Sequence, residues 1–222
     1  MPKHFKVQRE ITGFSIESAP ATVGGFKLEG AKVHNNWAAA SSDPLVRICI
    51  CDVVVRRCQL WSSWPTGILF RNIVVEDTRG AGVPVLLSAC HFDRVVLSGW
   101  IGGFIFKWRH GFDKDVNQAF LEDNLRRYST VEQAMDISQA HWRTFDALIG
   151  VPAKLVKRNP DEHFILRREH AQSIAARDDV GAWRIVASDL LASGLADTVV
   201  APGESPSGNS GAQRLRAEGL IE

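Results

Sequence analysis

Three apolar triplets, Val53-Val54-Val55, Ile73-Val74-Val75 and Val95-Val96-Leu97, recur about every 20 to 22 residues in this chain. Each follows a polar-containing pair: Cys51-Asp52, Arg71-Asn72 and Asp93-Arg94. Ahead of each pair stands another short apolar run: Ile48-Cys49-Ile50, Ile68-Leu69-Phe70 and Val85-Leu86-Leu87. A further copy starts at Phe104-Ile105-Phe106, and an earlier one at Phe26-Lys27-Leu28 with Ala31-Lys32-Val33. A unit this small cannot bury its own apolar face, whereas stacked copies can. The period suits two or three short strands joined by tight corners, each turn lying about 4.8 Å above the last. The fold expected is therefore mainly β: a short right-handed parallel β-helix (β-solenoid) with a helical C-terminal cap. Ile48, Ile50, Leu69, Phe104 and Phe106 are expected to point inward. Asp52, Asn72, Gly80, Gly82, Gly99, Gly102 and Gly103 are placed to turn the corners. An antiparallel sandwich or meander is the competing architecture.

The pattern changes after Phe112. Val116, Ala119, Phe120, Leu125 and Tyr128 follow helical spacing behind Asp115, a capping residue. Ser129-Thr130-Val131-Glu132 has the form of a capping box and predicts a second short helix through Ile137, continued by Trp142, Phe145, Leu148 and Ile149. His163-Phe164-Ile165-Leu166 predicts a short strand. Asp179 and Gly194 bracket a helix with Trp183, Val186, Leu190 and Leu191 on one face. Ala201 to Gly211 is rich in Gly, Pro and Ser and reads as a mobile linker, with a short helix over Gln213 to Glu222. The organisation expected is a β-solenoid with its N-terminal cap over residues 1–112, a mostly helical region over 113–200, and a flexible tail over 201–222. Exposed strand edges at the ends of a solenoid need covering. The helical region covers one end, and residues before Gly30 the other.

Composition narrows the function classes. Of 222 residues 45% are apolar, which fits a folded chain, and the net charge of +1 offers no global attraction to nucleic acid or acidic membranes. No apolar run approaches the roughly 18 residues of a spanning helix, and the residues after Met1 form no secretory h-region. The four cysteines, Cys49, Cys51, Cys58 and Cys90, lack zinc-site spacing and read as core thiols of a reducing cytoplasm. No cofactor and no metal are expected.

Phosphate loops, dinucleotide fingerprints, His-Glu-x-x-His and Gly-x-Ser-x-Gly are all missing from the sequence. His91 and Asp93, two apart on a strand, share a face and are the best imidazole–carboxylate pair. His110 lies near Asp113 and Asp115, whose acids suit helix capping. Asp161-Glu162-His163 sits in a predicted turn. Lys154, Lys157, Arg158, Arg167 and Arg168 read as a solvated face offset by nearby acids. The seven tryptophans are the one compositional excess. Trp61 and Trp64 flank Ser62-Ser63 ahead of Pro65, and Trp37 and Trp100 also fall near corners. Tryptophan buries a large area while keeping one donor, which enriches it at protein-binding hot spots. Trp61, Trp64, Trp100 and Trp37 are therefore the candidate binding residues, and no catalytic residue is assigned.

The repeats, followed by Tyr128-Ser129-Thr130-Val131-Glu132-Gln133-Ala134-Met135-Asp136-Ile137-Ser138-Gln139-Ala140 and by Gly150-Val151-Pro152-Ala153-Lys154-Leu155-Val156-Lys157-Arg158-Asn159-Pro160, give a chain that resembles small bacterial β-solenoid proteins akin to the pentapeptide-repeat-like family. Strict pentapeptide repeats are absent. The resemblance implies a cytoplasmic scaffold or recognition protein, some of which neutralise toxins. The first functional expectation is a non-enzymatic module binding a protein partner, as an immunity or antitoxin-type protein does. A β-helix carbohydrate-active enzyme is the second. A self-assembling structural or regulatory protein, dimerising through solenoid ends or helices, is the third. No nucleic-acid or membrane partner is expected.

Overall fold

In the computed structural model, which describes residues 10–13, 15–16, 20–39 and 42–222, the first twelve strands come in successive triplets. The first triplet is β1 (Glu10–Thr12), β2 (Ser15–Ile16) and β3 (Ala21–Glu29), and the second β4 (Lys32–His34), β5 (Trp37–Ala39) and β6 (Ile48–Arg56). The third is β7 (Gln59–Trp61), β8 (Trp64–Thr66) and β9 (Leu69–Glu76), and the fourth β10 (Arg79–Gly80), β11 (Val85–Ser88) and β12 (His91–Ile101). Each triplet contributes one strand to each of three sheets. The first sheet has the order β1-β4-β7-β10, and the second, β2-β5-β8-β11, is extended by β13 (Phe104–Lys107). The third runs β3-β6-β9-β12 and continues through β14 (Met135–Trp142) and β16 (Val156–Lys157). All pairings in these three sheets are parallel. The protein is mainly β, and the antiparallel alternative does not hold for this part of the chain.

Val53, Ile73, Val95, Met135 and Val156 occupy one register position of the third sheet, and all five are buried. All three sheets add inward residues to one interior, among them Leu60 on β7, Val85 on β11 and Ile48 on β6, at roughly 1.5–3 kcal/mol for each fully buried aliphatic side chain. Ile48, Ile50, Phe104 and Phe106 face this core as expected. Leu69 instead pairs with Cys49 and His91 on the outward side, because Ile68 and Phe70 take the inward positions. Opposite Leu97, β14 carries two residues, Ile137 and Ser138, a bulge that keeps Ile137 fully buried.

The corners explain why the repeat is visible at all. Gly25, Asp52, Asn72 and Arg94 occupy one register position and all have positive φ, at 74°, 53°, 53° and 55°. Left-handed backbone costs an ordinary residue about 1–2 kcal/mol, and here local hydrogen bonds offset it. Asp52 Oδ1 accepts from Asn72 Nδ2 at 2.9 Å, and Asn72 Oδ1 accepts from Arg94 Nε at 2.6 Å. A second column, Gly30, Arg57, Asp77 and Gly99, turns the next corner in the same conformation. Gly82 and Gly103 also have positive φ, but Gly80 and Gly102 do not. Gly80 serves a different need: a Cβ there would lie 2.8 Å from the Gly103 Cα.

The rest of the chain is mixed rather than mostly helical. Helix α1 (Lys114–Tyr128) is capped by Asp113, whose side chain accepts from the amides of Asp115 and Val116, so Asp115 is a first-turn acid and not the cap. The second helix expected over 129–149 is replaced by β14, because its apolar residues complete parallel pairing with β12. Next come β15 (Asp146–Ala147), a short 3-10 turn (Ala153–Leu155), β16, β17 (Phe164–Arg167), α2 (Arg168–Ala175), α3 (Trp183–Ser193), β18 (Asp197–Ala201) and α4 (Pro206–Ala217). β15, β18 and β17 form a small antiparallel sheet. Its residues share a second core with α2, α3 and α4, including Leu166, Ile174, Trp183, Leu190 and Leu215. Gly194 closes α3 at φ 73°, as the sequence predicts, whereas Asp179 bonds Arg177 and Arg214 instead of capping.

The segment read as a mobile linker is largely α4. Gly208, Gly211, Ala212 and Leu215 are buried, and the Trp183 indole donates to the Gly208 carbonyl at 2.9 Å. The two glycines are small for packing: a Cβ on Gly211 would lie 2.7 Å from the Trp183 ring. Composition read as disorder is here close helix packing. Of the residues expected to cap the first end, 1–9 lie outside the described residues, and Ala21–Glu29 is itself a sheet strand. Among the described residues no helix is long and apolar enough to cross a membrane.

Candidate functional site

Three of the four candidate tryptophans gather at one corner. Trp37 on β5 pairs in register with Trp64 on β8; the Trp37 side chain lies outside the described residues. Thr66 pairs with Ser88, which sets Trp64 opposite Leu86, and Leu86 pairs with Ile105 on β13. Leu86 lies between the buried Val85 and Leu87, so alternation turns it outward. Trp64, Leu86 and Ile105 therefore form an apolar row along the outer wall of the second sheet. Ile105 is 36% exposed, and nearby Val83, at 53%, stands in the loop whose carbonyl accepts from the Ser62 amide.

Trp61 lies on the adjacent wall, across the corner Ser62-Ser63. Its ring stacks on His34 with centroids 4.3 Å apart and planes 8° from parallel. His34 in turn bonds Glu10 through Nε2 at 2.7 Å. Ser62 takes left-handed backbone, and the Ser63 hydroxyl donates to the Trp61 carbonyl at 3.2 Å while accepting from the Asn36 amide at 3.3 Å. The Ser63 hydroxyl and backbone bonds to the neighbouring turns hold the corner between Trp61 and Trp64, and the His34 stack holds the Trp61 ring. The sequence reading missed Leu86, Val83 and Ile105, although strict alternation within Val85–Ser88 and Phe104–Lys107 marks Leu86 and Ile105 as outward.

Trp100 stands apart. It lies near the end of β12, is 43% exposed, and has the Arg143 guanidinium 5.0 Å over its ring. It adjoins a cleft lined also by His141, Asp161, His163 and Glu204, none of which is among the corner's neighbours described above.

The sequence-level chemical pairs are not assembled into reactive groups. Asp93 bonds Arg71 at 3.0 Å and Arg94 at 3.4 Å. His91 is buried instead against Tyr128, with ring centroids 4.3 Å apart. Burial, reinforced by the Arg127 and Arg47 charges, pushes the His91 imidazole down to about 3, so it stays neutral. His110 stacks on Phe120 at 4.3 Å while Asp113 caps α1. Lys157 pairs with Asp136 and Arg167 with Glu222, and Arg158 donates to the His163 carbonyl. All four cysteines are free thiols. Cys58 and Cys90 are buried, whereas Cys49 and Cys51 sit half-buried on the outward side of β6, opposite Ile48 and Ile50. Burial pushes the Cys90 thiol up to about 12, leaving it an unreactive packing group. Among the described residues no three or more His, Cys, Asp or Glu side chains are grouped to hold a metal ion.

Comparison with models of known protein families, with curated proteins and with solved structures found no match.

Proposed function

We propose that the chain winds as a short right-handed β-solenoid and acts as a non-enzymatic protein-binding module of the immunity or antitoxin type. The partner is a protein, and its docking surface is the corner formed by Trp61 and Trp64 with the row Leu86 and Ile105. Parallel pairing of successive triplets, with corners in repeated left-handed conformation, supports the solenoid. The register-aligned apolar row carries the functional reading. The row faces outward, half-buried at Trp64 and Leu86 and exposed at Ile105, and outward apolar rows mark interaction surfaces. The stack on His34 holds the Trp61 ring before association, so little of its side-chain entropy is lost on binding. The resemblance to small bacterial solenoid proteins agrees with this reading, and four free thiols agree with a cytoplasmic location.

The test is capture on the immobilised full chain in extract of the native host, identification of the captured protein, and titration of that purified protein. Trp64→Ala and Ile105→Ser should each leave melting nearly unchanged, and loss of a true hot-spot ring should weaken binding by about 2 kcal/mol, roughly thirtyfold. Unchanged affinity in both folded variants would remove this wall from the interface.

A further inference from the structure

The four thiols fall into two classes by where they point. Cys58 and Cys90 are buried and give their S–H groups to the backbone, Cys58 to the Arg56 carbonyl at 3.3 Å and Cys90 to the Pro65 and Ser88 carbonyls at 3.4 Å. Cys49 and Cys51 are half-buried and stand two apart on β6, on the outward face that alternates with the inward Ile48 and Ile50. Among the described residues neither of these two donates to a backbone carbonyl, so the outward sulfurs are not committed as the buried ones are.

One flank of the pair is open. In register, Cys49 has Thr22 on β3 and Leu69 on β9 beside it, and Cys51 has Gly24 and Arg71. Thr22 and Gly24 are exposed. The strands approach so closely here that a Cβ on Gly24 would fall 2.0 Å from the Cys51 carbonyl oxygen and 2.9 Å from its Sγ. The glycine this approach demands leaves the β3 side of the Cys51 sulfur bare. Burial raises the Cys51 thiol, with smaller contributions from the Asp52 carboxylate and from Cys49, which marks the two thiols as neighbours.

The spacing decides what such a pair can do. Alternate residues of a strand lie about 6.6 Å apart. A disulfide needs its Cβ atoms within about 4.5 Å, so closing one here would buckle a strand that is paired on both sides. An ion held between the sulfurs asks for less: two metal–thiolate bonds of about 2.3 Å, set in line, span about 4.6 Å. Thiolates select monovalent copper, zinc or iron–sulfur clusters. Zinc takes three or four protein ligands and the clusters four, and among the described residues no third His, Cys, Asp or Glu joins this pair as a metal-binding group. Monovalent copper is satisfied by two sulfurs in line.

We propose that Cys49 and Cys51 bind one monovalent copper ion as a two-coordinate bis-thiolate. Binding breaks two S–H bonds, forms two S–Cu bonds and releases two protons to solvent, and the copper enters and stays monovalent. The complex carries one negative charge, and the Arg71 guanidinium, which also holds Asp93 at 3.0 Å, comes from the register position next to Cys51. None of these residues belongs to the corner of Trp61 and Trp64.

The experiment titrates the reduced full chain, without oxygen, against monovalent copper held by the coloured chelator bicinchoninate. One copper per chain should leave the chelator, and X-ray absorption at the copper edge should show two sulfur neighbours. Cys49→Ser and Cys51→Ser should each weaken copper retention a hundredfold or more with melting unchanged. On the natural chain, a thiol-exchange reagent followed by mass spectrometry should modify Cys49 and Cys51 first, and bound copper should protect both. That measurement decides the point if a serine variant melts lower. Failure of copper to transfer would overturn the proposal, as would Cys49 and Cys51 left unprotected in the copper-loaded chain. Copper with three or more sulfur neighbours, or displaced by an equal concentration of zinc, would overturn it equally.

Discussion

Arg47 and Asp123 form an ion pair 2.8 Å apart with almost no solvent at either side chain, joining the turn ahead of β6 to α1. Asp123 also pairs with Arg126 and Arg127 on its own helix. Asn124 accepts from Arg47 Nη1 at 2.8 Å and turns its amide toward the Ala89 and Cys90 carbonyls at 3.3 and 3.4 Å. Thus α1 is fastened to a corner of the parallel sheets by polar groups, with the Arg47 guanidinium 4.5 Å over the Phe120 ring. Burial pushes Arg47 down to about 10, against the opposing pull of Asp123, so it remains charged at neutral pH.

Breaking this pair from its two sides should have unequal results. Asp123→Ala strands a buried guanidinium and is expected to cost about 3–5 kcal/mol. Arg47→Ala leaves Asp123 with two arginine partners and should cost less, although it loses packing on Phe120. Urea denaturation of both variants measures the difference, and equal losses would count against the asymmetry.

Two buried histidines predict an acid-side decline in stability. His91 and His163 sit at about 3 and about 4 in the fold, both lowered chiefly by burial, against 6.5 for an ordinary imidazole. The unfolded chain therefore takes up protons first, and stability falls as pH drops below 6.5. Each histidine contributes a slope of about 1.4 kcal/mol per pH unit until its folded-state value is reached. Asp123 adds to the decline below 3.8, because its Arg127 bond and the Arg47 charge outweigh burial and hold its carboxyl low. Asp146 works against it: burial raises its carboxyl well above 3.8, so its contribution is largest in acid and is lost as pH rises. His91→Phe should flatten the denaturant midpoint between pH 6.5 and 4 relative to the natural chain. An unchanged pH profile would show that His91 is not held neutral.

The corner column makes a separate prediction. At Asn72, with φ at 53°, alanine should cost about 2 kcal/mol, from left-handed strain and from loss of the bonds to Asp52 and Arg94. Glycine should recover at least half of that by removing the strain alone. Thermal melts of Asn72→Ala and Asn72→Gly decide the point, and equal losses would assign the whole effect to the hydrogen bonds.

Removal of residues 202–222 tests α4. Leu215 is fully buried and Trp183 gives its indole N–H to Gly208, so the truncated chain should melt many degrees lower. Leu215→Ala alone should cost about 2–5 kcal/mol. A truncated chain that melts like the whole one would restore the reading of a detached tail.

The strands are legible because their register positions repeat in sequence: Val53, Ile73 and Val95, equivalent in the repeat, are the residues that pair. The other corner columns were hard to see, since Arg57, Asp77, Ser62 and Ala89 adopt left-handed backbone without being glycine or asparagine. There the stacked neighbour, not local preference, imposes the conformation. β14 was misread because Ser129 and Thr130 close one helix in a pattern that also opens one. The aromatic corner was half visible: Trp61 and Trp64 stand out as residues, but their neighbours Leu86 and Ile105 come from later turns of the chain. The cleft beside Trp100 needed three distant segments, and His163 reads as a turn residue until β17 and β14 enclose it.

The close approach of Gly80 and Gly103 falls where the first sheet stops at β10, while the other two continue. A pile of strands has no inherent length, and the same hydrogen bonds that join one layer to the next would join one molecule to another. Narrowing one wall to two touching glycines removes a side of the platform on which another layer would sit, and the antiparallel sheet with its helices follows in its place. Head-to-tail addition needs two competent faces. At this end another layer meets an incomplete platform, so the taper works as a stop against head-to-tail fibre growth.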